Sequence, residues 1–121
     1  KASSNICTNQ TLNAVGSTIH LSWLGPEGLY EIGYQAIQKA SYMKQALIEN
    51  GFTVLNNNTS LREFLIQTKR LAEDVILEMG SKGFLAGIKY SDNEILVAVT
   101  EKRTKEQIDN YVQSLLEVDN A

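Results

Sequence analysis

The spacing of the apolar residues changes at Gly51, and this change narrows the possible folds more than any other feature of the sequence. Before Gly51, apolar residues recur at three- and four-residue steps, which is the period of one face of a helix. After Gly51, short apolar and β-branched runs are separated by turn residues, a pattern typical of strands. A helical first part followed by a strand-rich second part predicts an α+β protein.

Two consecutive helices are predicted before Gly51. Thr8 or Asn9 can cap the first helix, and Gly25 ends it. Pro26 then occupies the first position of the second helix, where its missing N–H has no intrahelical partner to lose. The second helix is predicted to run to about Asn50. The apolar face of the first helix consists of Leu12, Val15, Ile19 and Trp23.

The rest of the chain predicts the order strand, strand, helix, strand, strand, helix. The second of these strands is ambiguous, because Ser60 and Glu63 fit a capping box, whereas Phe64, Ile66 and Thr68 alternate as in a strand; we predict a strand over 61–68. A helix then carries Leu71, Val75 and Met79, strands span 84–90 and 94–100, and a capping box of Thr104 and Gln107 starts the last helix.

These elements predict one domain over residues 1–121, with a helix pair (1–50) leading into a ββαββα unit (51–121). The architecture expected is two-layered: a short, mostly antiparallel sheet with helices covering one face. A length of 121 residues is near the usual ~100–200 for one domain. The first residue is Lys rather than Met, so we expect a processed chain or a piece of a longer one.

Composition excludes several classes of protein. The net charge is −3, whereas a protein that tracks nucleic-acid phosphates needs clustered positive charge. A single Cys cannot form an internal disulfide, and one His with one Cys cannot form a zinc site by themselves. No apolar run approaches the ~18–20 residues that span a bilayer, and the polar N-terminus is unlike a signal peptide. We therefore expect a cytoplasmic protein with no nucleic acid, membrane or metal as its partner.

The residues alone indicate little catalytic chemistry. No phosphate-binding glycine loop, nucleophile elbow or zinc-binding helix motif occurs. His20 is expected to be an ordinary helix-surface side chain, and Cys7, beside a helix start, to be packed, although a lowered thiol pKa is physically allowed. Tyr30 and Tyr34 are expected to press against another element. Arg103, in a charged run after the last strand, is either solvated or aimed at an anion or a partner's carboxylate.

Three segments resemble one known family. Positions 1–10 read KASSNICTNQ, against a family signature of KATSNICTNQ, with Ser3 as the one departure. Further matches are LGPEGL at 24–29 and VAVTEKRTKEQID at 97–109. On these motifs the chain resembles the glycine decarboxylase P-protein in its two-subunit bacterial form, specifically the subunit 1 (alpha) chain.

This resemblance implies the C-terminal small domain of a fold-type I transferase that uses pyridoxal phosphate (PLP). The whole enzyme would decarboxylate glycine and pass the aminomethyl group to the lipoyl arm of the H-protein. The lysine that binds PLP is expected on subunit 2, and Lys1 does not correspond to it. PLP is therefore expected on the partner subunit, and this fragment is expected to be inactive alone.

The fragment is expected to supply interface or pocket-wall residues to that assembly. Polar residues before a helix start can hold an anion or a neighbouring loop, so Asn5→Ala or Thr8→Ala in the full enzyme should weaken assembly or activity. The candidates are Ser4, Asn5, Cys7, Thr8, Asn9, Glu101 and Arg103.

Two other hypotheses remain open at this point. The chain could be a free-standing α+β module that binds a small molecule or regulates an enzyme. It could also be the small domain of another fold-type I aminotransferase, with Arg103 or a nearby arginine holding the substrate carboxylate. An isolated small domain is also expected to self-associate, through the apolar face of the first helix or through Tyr30 and Tyr34.

Overall fold

The computed structural model describes residues 10–55 and 60–121, which form three helices and four strands. The chain divides into two compact units, residues 1–32 and 33–121. The elements are α1 (Thr11–Glu49), β1 (Thr53–Val54), β2 (Glu63–Gln67), α2 (Ala72–Ser81), β3 (Ile88–Ser91), β4 (Glu94–Ala98) and α3 (Lys105–Asp119).

Helix α1 contains the predicted break between two helices. Gly25 lies inside it with non-helical backbone angles (φ 65°, ψ −178°), and Pro26 follows. The positive φ suits glycine, which has no Cβ to clash in this region. The predicted helix pair is therefore confirmed, with the second helix ending at Glu49 just before Gly51 (φ 88°).

The four strands form one antiparallel sheet in the order β1-β2-β4-β3. The ambiguous segment 61–68 contains the strand β2 (Glu63–Gln67), in which Phe64 and Ile66 alternate into the core while Glu63 and Gln67 are exposed. In the central pair, Leu65 lies opposite Leu96. The α+β fold with an antiparallel sheet is confirmed.

Within residues 33–121, helical segments and one face of the sheet share a single core. Phe64, Ile66, Ile95 and Val97 point from β2 and β4 into this core, and all are buried. The helices contribute Ala40, Met43 and Leu47 from α1, Ala72, Val75 and Met79 from α2, and Ile108, Tyr111, Val112, Leu115 and Val118 from α3.

The predicted strand 84–90 differs most from the structure, since β3 begins only at Ile88. Gly83 (φ 87°) and Gly87 (φ 141°) adopt backbone angles outside the strand region. Phe84 therefore packs edge-on against Tyr111, with ring centroids 5.8 Å apart, instead of joining the sheet. Leu71 also differs from the prediction: it is the N-cap residue just before α2, and its side chain is exposed.

The predicted capping box starts α3. The Thr104 side chain accepts a hydrogen bond from the Gln107 N–H (3.2 Å), and the Gln107 side chain accepts one from the Thr104 N–H (3.1 Å). We expect Thr104→Ala to lower the free energy of unfolding by about 1 kcal/mol in urea denaturation. Thr104→Ser keeps the capping oxygen and should lose less than half of that; equal losses in the two variants would contradict the cap's role.

Candidate functional site

The predicted site residues divide into two groups. Ser4, Asn5, Cys7, Thr8 and Asn9 lie outside the described residues, so their predicted role stays a prediction. Glu101 and Arg103 lie together in the loop that leads from β4 into α3.

This β4–α3 loop (residues 99–104) is anchored at several points. Val99 donates its N–H to the Arg62 carbonyl (2.9 Å), and Arg103 donates its N–H to the Thr100 carbonyl (3.2 Å). From helix α1, the Lys39 ammonium donates to the Glu101 carbonyl. The loop is thus tied both to the sheet and to the second half of α1.

Arg103 lines a pocket beside this loop, which we call the β4–α3 pocket. Its volume is about 500 Å³, within the range of ~300–1,000 Å³ that is usual for small-molecule sites. The lining is mainly apolar, with a few polar groups. The lining residues are Met43, Gly83, Phe84, Leu85, Val97, Ala98, Val99, Thr100, Arg103, Gln107, Ile108 and Tyr111.

Tyr111 fixes one wall of the pocket. Its ring is buried, and its hydroxyl donates to the Ala86 carbonyl at 2.6 Å. Burial raises the pKa of this phenol well above its ordinary value, so the group stays neutral at physiological pH. With its proton engaged by a carbonyl, Tyr111 acts as a rigid wall and not as a proton donor to a ligand.

Arg103 is the charged group of the pocket. It is exposed, and within residues 10–55 and 60–121 no carboxylate forms an ion pair with it. Its planar guanidinium suits a carboxylate or phosphate. The Glu101 side chain, by contrast, is half-buried and does not line the pocket. The pocket can therefore orient an anion next to an apolar wall, but its lining includes no nucleophile paired with a base.

A second polar cluster joins α1 to α3. The Tyr42 hydroxyl donates to Asp109 (2.5 Å), and Lys105 donates to the other oxygen of the same carboxylate (2.7 Å). The Lys105 ammonium also lies 5.0 Å from the centre of the Tyr42 ring. The hydrogen bonds from Lys105 and then from Tyr42 lower the pKa of Asp109. These exposed contacts orient α3 and create no vacant binding position.

Sequence reasoning missed the buried carboxylate of Asp119, the last residue of α3. It accepts hydrogen bonds from the backbone N–H of Lys69 (2.9 and 3.1 Å) and of Arg70 (3.2 Å). Asp119 is only 4% exposed. A carboxylate at a helix C-terminus is unfavourable on its own, since the helix dipole is negative there. This mismatch was the one feature of the sequence that could have indicated a structural role for Asp119.

The other residues singled out in the sequence lie exposed on α1. His20 is exposed on α1, as expected for a helix-surface side chain. Tyr30 and Tyr34 are both exposed in the described part of the chain, and the prediction that they press against another element stays a prediction. Leu12 and Trp23, from the apolar face of the first helix, are also exposed.

The described residues contain neither a metal-binding cluster nor a membrane-spanning helix. Their His, Cys, Asp and Glu side chains form no group of three or more that could bind a metal ion. Among the same residues, no helix combines the length and apolar character needed to cross a membrane.

With this geometry established, comparison with known proteins defines the class of the chain. The family described as "Glycine cleavage system P-protein" matches residues 1–115. The chain belongs to this family.

Two bacterial relatives are similar to nearly the whole of this chain. The chain is 39% identical to the probable glycine dehydrogenase (decarboxylating) subunit 1 of Staphylococcus haemolyticus, over 100% of this chain and 28% of the relative. It is 40% identical to the protein of the same name from Macrococcus caseolyticus, over 93% of this chain and 26% of that relative. The chain thus spans little more than a quarter of the length of the curated relatives it matches.

A solved structure resembles this fold closely. A crystal structure of glycine decarboxylase (P-protein) of the glycine cleavage system, in inhibitor-bound form, superposes with a TM-score of 0.86 at 30% sequence identity. The match covers 98% of this chain and 28% of that one. The fold is therefore that of one portion of a glycine decarboxylase.

Proposed function

We propose that this chain is the C-terminal small domain of subunit 1, the alpha chain, of a two-subunit glycine decarboxylase. The observation that carries the proposal is the combined match in sequence and fold: the family covers residues 1–115, and the structure superposes on about a quarter of a glycine decarboxylase. The helix pair at 1–50 would lead into the domain, and residues 51–121 would form its ββαββα body.

In this proposal the complete enzyme decarboxylates glycine and transfers the remaining aminomethyl group to the lipoyl arm of the H-protein. PLP would supply the electron sink for loss of the carboxylate. Subunit 2 would carry the lysine that binds PLP. The proposed location of the assembled enzyme is the cytoplasm.

Two pockets within residues 33–121 do not fit PLP itself. A PLP site needs a lysine for the imine, an acidic partner for the pyridine nitrogen and a phosphate cup. The β4–α3 pocket is lined by neither lysine nor carboxylate. A smaller pocket, of about 220 Å³, is lined by Lys69 and Asp119, but Lys69 donates to Asn120 (2.6 Å) and the Asp119 oxygens accept backbone N–H groups. This supports a cofactor site formed by other parts of the enzyme.

The role proposed for the fragment is to build walls and contacts. Ser4, Asn5, Cys7, Thr8 and Asn9 would line the boundary with the partner domain or subunit. Arg103 would meet a carboxylate from across that boundary, because no carboxylate in the described part of the chain neutralises it. The anchored β4–α3 loop would hold Arg103 in place for that contact.

The proposal predicts where glycine decarboxylation activity resides. Subunit 1 with subunit 2, PLP and lipoylated H-protein should release labelled CO₂ from carboxyl-labelled glycine, whereas the 121-residue chain should release none. Deleting residues 33–121 from subunit 1 should reduce release on the order of 10²-fold or more, because the walls that orient the reacting groups would be lost.

Two results would contradict the proposal. One is release of CO₂ from glycine by the isolated chain with PLP. The other is full activity of subunit 1 after the deletion, provided that light scattering shows it still assembled with subunit 2. Calorimetric binding of glycine to the isolated chain would favour the free-standing binding module instead.

A further inference from the structure

The sheet of unit 33–121 has a second face, opposite the helices, and the strand register puts a row of apolar residues across it. Leu65 lies directly opposite Leu96, and Leu96 directly opposite Ile88. On the other side, Leu55 donates its N–H to the Leu65 carbonyl at 3.0 Å, which continues the β1–β2 pairing by one residue. Directly opposed residues share one face of a sheet. The four side chains Leu55, Leu65, Leu96 and Ile88 therefore form one row, which we call the open-face row.

The open-face row does not belong to the core described above. The neighbours of Leu65 along β2 (Phe64 and Ile66) and of Leu96 along β4 (Ile95 and Val97) point to the opposite face and are fully or almost fully buried. Ile88 is 71% exposed and Leu55 43% exposed, and the two central leucines are half-buried. Four large aliphatic side chains in line across a sheet are more than scattered surface residues, and such patches mark places where another surface packs.

Acidic residues flank this row. Glu63 lies opposite Ala98 on one side of it, and Glu94 lies opposite Gln67 on the other. Neither carboxylate has an ion-pair partner in the described ranges. Of the strand residues that the register puts on this face, none is Lys or Arg, since Lys89 lies opposite the buried Ile95 and pairs with Glu73 and Asp92.

We infer that the open face packs against the remainder of the subunit 1 polypeptide, through an apolar surface bordered by lysine or arginine. The inference rests on the proposed function, because it takes the chain as part of a longer subunit. The curated relatives are more than three times as long as the matched region, so most of such a subunit lies outside this chain. The apolar row supplies the area to bury, and Glu63 and Glu94 set the charge of the matching border.

A second copy of the same face fits this surface poorly. Two copies packed face to face would bring together the Glu63 and Glu94 carboxylates of both, with no cation from either face between them. Like charges in an interface of low dielectric oppose association. The charge pattern therefore favours a different, basic surface.

Hydroxyl-radical footprinting tests the inference on unmodified protein. The oxidation rates of Leu55 and Ile88 are measured in complete subunit 1 and in the isolated chain, with Leu77 of α2, 76% exposed, as the reference. Because the centre of an interface excludes water, we expect rates roughly tenfold lower for Leu55 and Ile88 in the complete subunit, relative to Leu77. Equal relative rates in the two proteins would overturn the inference. The inference would also be overturned if the isolated chain formed a dimer and its Leu55 and Ile88 became less oxidised as its concentration rose. A second copy of the chain would then cover the open face.

A matched pair of variants gives an independent readout. Ile88→Glu should leave the melting temperature of the isolated chain within error but lower that of the complete subunit, since a carboxylate would enter an apolar interface. Leu77→Glu, the same change on α2, should affect the two proteins alike. If Ile88→Glu changed the melting temperature of both proteins equally, the open face would not be covered in the complete subunit. These measurements need no catalysis, so they separate a failure of this inference from a failure of the proposed activity.

Discussion

Replacing Gly87 with alanine is expected to cost about 3 to 5 kcal/mol of unfolding free energy, enough to abolish folding of a marginally stable domain. Gly87 precedes β3 and has a φ of 141°, which side-chain-bearing residues rarely adopt. A Cβ there would collide with the Leu96 carbonyl oxygen and lie 2.7 Å from Ile95 Cγ2. Both neighbours belong to β4, a central strand of the sheet, so neither can move away without disturbing the core.

The matched control is Gly80→Ala. Gly80 lies inside α2, and a Cβ there would meet nothing within 4 Å. This change should stabilise the protein by about 0.5–1 kcal/mol, because alanine loses less backbone freedom than glycine in a helix. Urea denaturation of both variants, followed by circular dichroism, measures the difference. A Gly87→Ala protein as stable as wild type would show that the close approach of Gly87 to β4 is absent in solution.

Gly87 also explains why the sequence predicted β3 imperfectly. The run from Phe84 to Tyr90 has the composition of a strand, and local patterns cannot show that Gly87 must pass close to the β4 backbone. That contact depends on the register between β3 and β4, which is a tertiary property. Segment 61–68 was predictable because the alternation of Phe64 and Ile66 matches a sheet with one buried face.

The helices were predictable for a different reason. Their ends carry local signals: Gly25 and Pro26 at the break, Gly51 after α1, and the Thr104 capping box at α3. These signals operate through neighbours within four residues, so they can be read from sequence.

The candidate site was only partly predictable. The sequence singled out Arg103 because it lies in a short charged run before a capped helix. It did not reveal the β4–α3 pocket, whose lining comes from residues as far apart as Met43 and Tyr111. Likewise, the open-face row depends on pairing between four strands. Such sets are assembled by the fold, and no spacing along the chain encodes them.

Asp119→Ala is the second substitution expected to have a large effect, lowering the free energy of unfolding by about 2 to 4 kcal/mol. The carboxylate joins the end of α3 to the loop between β2 and α2, 49–50 residues away in sequence. Removing it leaves the N–H groups of Lys69 and Arg70 without their acceptor in a partly buried setting. Hydrogen bonds to a charged acceptor are among the stronger ones in proteins, at roughly 1.5–3 kcal/mol each.

The loop concerned has further contacts, which localise the effect of Asp119→Ala. Thr68 donates hydrogen bonds to the Asn93 and Arg70 carbonyls, and Arg70 donates to the Val118 carbonyl (2.6 Å). These remain when the carboxylate is lost. Amide hydrogen exchange should therefore accelerate most at Lys69 and Arg70, and less at Thr68, whose N–H donates to the Asn93 carbonyl at 2.8 Å.

Two control variants separate the acceptor role of Asp119 from a general effect of charge. Asp119→Asn keeps one acceptor oxygen and should lose about half as much stability as Asp119→Ala. Glu117→Gln, on the same helix, removes an equal charge from an exposed ion pair with Lys82 (2.8 Å) and should cost much less stability than Asp119→Ala, because solvent screens exposed ion pairs. If Glu117→Gln proved as costly as Asp119→Ala, net charge would explain the loss. If only the Asp119 variants accelerate exchange at Lys69 and Arg70, the contact between the carboxylate and these amides holds the C-terminal end of α3 to the β2–α2 loop.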